Sequence, residues 1–130
     1  MAAAIRLIAL TCCLLVLTDS FPCNITVWVH SKTDKKFKAV VLVPAIKVRS
    51  LPMIFKKKDV MKKVRIEGED CASKHWMIRT FKWKHEQWKP AKNISAKFQG
   101  WGWFRVRVGD DLVPHPADRL GIMCSEGDCH

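Results

Sequence analysis

The chain has 130 residues and carries 23 Lys and Arg against 12 Asp and Glu, a formal net charge of +11. That length excludes a multidomain enzyme, and the 48% hydrophobic content excludes a disordered polyelectrolyte. The positive charge favours anionic partners: glycosaminoglycans, anionic lipid surfaces, acidic proteins or nucleic acid.

Residues 1–20 read as a cleaved secretory signal peptide. One positive charge, Arg6, precedes an apolar stretch over residues 7–17, which is too short for a permanent membrane span. Thr18 and Ser20 are small enough for the −3 and −1 positions of a signal peptidase site, which places cleavage after Ser20. No later stretch is apolar for long enough to span a membrane. The expectation is a secreted, extracellular domain over residues 21–130.

Export removes Cys12 and Cys13 and leaves Cys23, Cys71, Cys124 and Cys129. An even number in an oxidising compartment reads as two disulfides, with three possible pairings. The short Cys124 to Cys129 spacing favours a local ring around Gly127, which would pair Cys23 with Cys71. Asn24 and Asn93 each head an N-x-[ST] sequon, so both are candidate glycosylation sites.

Residues 24–30 alternate, with Ile25, Val27 and Val29 on one side, and read as a half-buried strand. Residues 37–43 form a second strand, ended by Pro44, and residues 46–49 a short third. Residues 60–66 suit either a strand or a helical turn, and their β-branched content favours the strand. Residues 76–83 place Trp76, Ile78 and Thr80 on one face and Met77, Phe81 and Trp83 on the other. Ile94, Ala96 and Phe98 point inward from another strand, and Gln99-Gly100 reads as a turn. Beyond it, Phe104, Val106 and Val108 alternate against Trp103, Arg105 and Arg107. A proline-marked tail follows, with room for helix around 112–121. About seven strands and no long amphipathic helix predict an all-β domain, a small antiparallel sandwich or barrel stabilised by disulfides.

The charge is unevenly spread: residues 21–109 sum to +15 and residues 110–130 to −4. The acidic tail is expected to fold over the basic body. Lys56, Lys57, Lys58, Lys62, Lys63 and Arg65, with Arg105 and Arg107, are the candidate anion-binding residues. Trp101 and Trp103 are candidate stacking residues, because a Trp/Arg face suits sugar rings, bases or a lipid interface. The simpler alternative leaves Trp103 at the core edge and the arginines solvated. Trp28, Trp76 and Trp83 read as packing residues.

No catalytic motif stands out. His30, His75, His85, His115 and His130 show no spacing that singles out an acid–base pair, and no cofactor motif is present; Cys124, Cys129 and His130 make only a weak metal-ligand set, against which the disulfide reading is preferred. The leading expectation is a non-enzymatic secreted binding module. The alternatives are a membrane-active effector and a small secreted nuclease.

Overall fold

The computed structural model describes residues 20–130. The expected leader, with Cys12 and Cys13, lies outside the described residues apart from Ser20. Eight strands make up the fold: β1 (Pro22–Ser31), β2 (Phe37–Val43), β3 (Val48–Arg49), β4 (Met53–Phe55), β5 (Met61–Glu69), β6 (Trp76–Lys84), β7 (Gln87–Val108) and β8 (Pro114–Ser125). Short 3₁₀ turns sit at Pro44–Ile46 and Cys71–Ser73. Strand makes up 67% of the described residues, and the sheet curls into a half-barrel, with no α-helix among them.

Alternation dictates which residues turn inward, and the inward sets match the expected ones. Ile25, Val27 and Val29 of β1 are fully buried, as are Phe104, Val106 and Val108 of β7. β2 supplies Phe37, Ala39, Val41 and Val43, and β6 supplies Trp76 and Ile78. At the centre, Phe98 and Phe104 stack at 4.2 Å and Trp76 meets Phe98 edge-on at 5.4 Å. The Trp76 indole N–H is satisfied by the Cys71 carbonyl at 2.9 Å.

The sheet is organised by β7, which is 22 residues long. Its first half pairs with β6, and β6 leads on to β2, β3 and β4. Its second half pairs in parallel with β1 and antiparallel with β8, and β1 carries β5 on its far edge. Every pairing but β1 with β7 is antiparallel.

Three expectations change. Gln99-Gly100 is no turn, because β7 runs through it. The register of β7 against β8 shifts between Gly100 and Trp103, and the strand bends there instead of reversing. Residues 112–121 are not helical: from Pro114 the chain is β8, held along β7. Residues 46–49 contribute only a two-residue strand after the 3₁₀ turn. The segment Met53–Phe55, which is too short to show periodicity, adds β4 beside β2.

The disulfides are Cys23–Cys71 and Cys124–Cys129, the local ring favoured by spacing. Cys23–Cys71 closes a 48-residue separation and ties β1 to the turn before β6. On a loop-entropy account that bond contributes about 4 kcal/mol.

At the bend, β7 and β8 approach so closely that side chains do not fit. A Cβ on Gly102 would stand 1.9 Å from the Leu120 carbonyl oxygen, and Gly121, at φ +74°, would bring one within 2.2 Å of the Trp101 carbonyl oxygen. Gly121→Ala should therefore lower the melting temperature by on the order of 10 °C. Gly109→Ala, where the nearest atom is 4.0 Å away, should change it by only about 2 °C. Thermal denaturation of the two variants checks this.

Candidate anion-binding face

The outer face of β5, β1, β7 and β8 collects the side chains that do not enter the core. Register arranges them in rows with β1 in the middle. Asn24 lies between Glu67 and Trp101, Thr26 between Arg65 and Trp103, Trp28 between Lys63 and Arg105, and His30 between Met61 and Arg107. Four of the candidate cations and both candidate stacking residues thus share one face. Trp28 forms its floor, with the Lys63 ammonium 5.0 Å from its ring centroid.

The tryptophans divide differently from the expectation. Only Trp76, at 0% exposure, is a core residue. Trp28 is half-buried on the outer face because its neighbours Val27 and Val29 take the inward positions. Trp83 is 41% exposed, near the end of a hairpin that outruns the core. Trp101 is 64% exposed, and its indole N–H donates to the Pro22 carbonyl at 3.2 Å. Trp103 is half-buried beside Trp28 and Arg105, lining a shallow cavity of about 190 Å³. A wider open depression of about 700 Å³ runs past Asn24, Thr26, Lys63, Arg65 and Trp101.

Two of the four cations are already paired. Arg105 makes a bidentate contact with Asp118 of β8, with its Nε 2.7 Å from Oδ1. The hydrogen bond from Arg105 holds the Asp118 carboxyl below its ordinary range, and the same bond raises Arg105. Arg65 contacts Glu67 at 2.5 Å and the Asn24 side-chain oxygen at 3.0 Å. Among the described residues, Lys63 and Arg107 have no carboxylate partner. The acidic C-terminal segment also reaches the body through Glu126, which pairs with Lys97 at 2.6 Å, and Asp128, which accepts the Ser95 N–H.

The remaining candidate lysines lie elsewhere. Lys56, Lys57 and Lys58 stand exposed on the loop before β5. Lys62 belongs to the inner side of β5, opposite Val29. Its ammonium donates to the Ile54 carbonyl at 2.6 Å and rests 5.6 Å from the Phe55 ring centroid, covering the open end of the core. Lys56, Lys57 and Lys62 line a separate depression with Ile54 and Val60. The basic run of the sequence therefore serves two surfaces, because consecutive strand residues face opposite ways.

Of the sequon residues, Asn93 is exposed on β7, whereas Asn24 is half-buried with its amide engaged by Arg65. Cys124 and Cys129 are bonded to each other, so neither offers a thiolate. Among the described residues, no group of three His, Cys, Asp or Glu side chains is placed to hold a metal ion, and no helix is long and apolar enough to cross a membrane.

One arrangement was invisible in the sequence. His30 of β1, Arg107 of β7 and His115 of β8 stand in a single row. His115 lies 3.6 Å from Asp111 and His30 lies 3.8 Å from Asp59. No fixed spacing announces such a row, since parallel pairing of β1 with β7 joins residues 77 apart. Comparison of the chain with protein-family models and with curated proteins finds no match.

Burial holds His30 below the ordinary 6.5 of histidine, and the Lys32, Arg105 and Arg107 charges add to this against Asp59. Its Nδ1 has no partner. The unfolded chain takes up that proton near 6.5 and the fold only at lower pH. Stability is therefore unaffected above pH 6.5 and declines as pH falls through the window below it. Thermal melts between about pH 7.5 and 5 should show this decline, and His30→Gln should flatten it. A second decline at lower pH should remain in that variant. Asp111, Asp118 and Glu126 all titrate below their ordinary values in the fold and lose their contribution only as they protonate.

Proposed function

We propose that the protein is a secreted, non-enzymatic binding module whose outer face on β5, β1 and β7 engages an anionic polysaccharide. The observation that carries this reading is the row arrangement. Lys63, Arg65, Arg105 and Arg107 surround Trp28 and Trp103, with Trp101 exposed at one end. Cations at strand spacing meet the charges of an extended polyanion, and indole faces between them suit the apolar faces of sugar rings. A flat, open sheet surface accepts a long chain better than a small enclosed ligand.

Lys63 and Arg107 supply the uncompensated charge. By strand spacing and rise they stand roughly 12 Å apart across the face, a span for a linear ligand to bridge. Arg65 and Arg105 are held in place by Glu67 and Asp118 and offer their remaining N–H groups as oriented donors. Two disulfides and two sequons fit an extracellular setting. A glycan on Asn24 would stand on this face, whereas one on Asn93 would leave it open.

A second reading rests on the row of His30, Arg107 and His115. Two histidines flanking a cation are the components of acid–base phosphodiester cleavage, and burial favours the unprotonated form of His30. If that reading holds, RNA is cleaved, and His30→Ala and His115→Ala each abolish the cleavage.

The polysaccharide reading predicts retention on immobilised heparin beyond physiological salt, about 0.15 M. The pair Lys63→Ala and Arg107→Ala should bring elution below that concentration. The triple change Lys56→Ala, Lys57→Ala and Lys58→Ala should shift elution less. Elution of the unaltered protein well below 0.15 M, or a larger effect of the triple change, would contradict the proposal.

A further inference from the structure

The end of the β6–β7 hairpin forms a second cationic, aromatic surface, away from the face described above. From Phe37 paired with Lys82 onward, β2 contributes no partner, and Trp83 and Lys84 pair only with Trp88 and Gln87. The ribbon closes through His85 and Glu86, both at positive φ, a two-residue turn that follows the twist of the strands. Residues 82–87 are all exposed.

Trp83 and Trp88 meet edge-to-face, with centroids 4.9 Å apart. The Lys36 ammonium lies 4.0 Å from the Trp83 centroid, and that of Lys38 lies 4.5 Å from Phe81 and 5.2 Å from Trp88. Lys82, Lys84 and Lys89 stand on the opposite face of the same ribbon, since each neighbours a tryptophan in sequence. Among the described residues, none of these five lysines pairs with a carboxylate, unlike Arg65 and Arg105 on the sheet face.

We infer that this hairpin end is a docking element for an anionic phospholipid surface. The ring arrangement decides between ligands. Lys36 sits over Trp83, Lys38 over Trp88, and the two indoles pack edge-to-face, so the rings are clustered and do not present a row of separate faces to an extended sugar chain. Amphipathic indole edges remain, flanked by the Lys36 and Lys38 ammonium groups. Indoles settle at the headgroup level of a bilayer, and lysines reach from there to lipid phosphates. Unpaired cations beside an anionic leaflet contribute about 1 kcal/mol each, roughly fivefold in partitioning per lysine.

The test is co-sedimentation of the disulfide-intact protein with phosphatidylcholine vesicles, with and without roughly 30% phosphatidylserine. Binding is expected only to the anionic vesicles, with a blue shift of tryptophan emission and quenching by brominated acyl chains. The pair Trp83→Ser and Trp88→Ser should reduce partitioning at least tenfold. These positions lie outside the core, and a cooperative thermal unfolding transition like that of the unaltered protein confirms that the variant is folded. Lys36→Gln with Lys38→Gln should reduce partitioning about 25-fold, two steps of the per-lysine factor. The pair Lys63→Ala and Arg107→Ala should leave vesicle binding unchanged, which separates failure of this inference from failure of the polysaccharide reading. Absence of binding to anionic vesicles would overturn the inference, as would binding that survives the tryptophan changes or is lost only with Lys63 and Arg107.

Discussion

The fold depends on one strand changing partners halfway along. A sheet twists as it grows, and a strand as long as β7 cannot stay with one neighbour without bending. The bend falls where Gly100 and Gly102 of β7 meet Gly121 of β8, so closely that a Cβ would stand within about 2 Å of a carbonyl oxygen on the opposite strand. It brings β6 and its neighbours over β1 and β5, so that Trp76 from one half packs against Phe98 and Phe104 near the bend. Because β7 is continuous, its outward side chains before and after the bend fall on two separate surfaces. Trp88 goes to the hairpin end and Trp103, Arg105 and Arg107 to the sheet face.

What could be read before folding was local. Alternation named the buried residues of β1, β2, β6 and β7, since burial on one side of a strand leaves a period of two in the residue types. The Cys124–Cys129 ring was legible because a short spacing leaves a ring as the simplest closure. Pairing between distant strands was not legible. Gly100 looked like a turn because glycine serves turns and bulges alike, and only the partner β8 distinguishes them. The acidic tail looked irregular because Pro114 and Pro116 weaken a strand signal, yet an edge position tolerates proline.

The candidate site was half legible for the same reason. That Trp103, Arg105 and Arg107 share a side followed from alternation. That Lys63 and Arg65 join them across β1 required the register, and that Lys62 does not follows from its opposite parity on β5. The apolarity of indole assigns Trp28 and Trp83 to packing, but one forms the floor of a charged face and the other sits near the end of a ribbon. Composition reports how many cations a chain carries. The fold decides which are spent on Asp118 and Glu67 and which remain for a partner.

The proposed function lays a linear polyanion across the outer face of β5, β1 and β7. Its most direct test is amide and side-chain NMR of the protein titrated with a size-defined heparin oligosaccharide. The account predicts that the largest shifts fall on the Lys63 row, on Arg107 and on the indole N–H groups of Trp28, Trp101 and Trp103. Shifts confined to the loop carrying Lys56, Lys57 and Lys58, or to the hairpin end around Trp83, would contradict it.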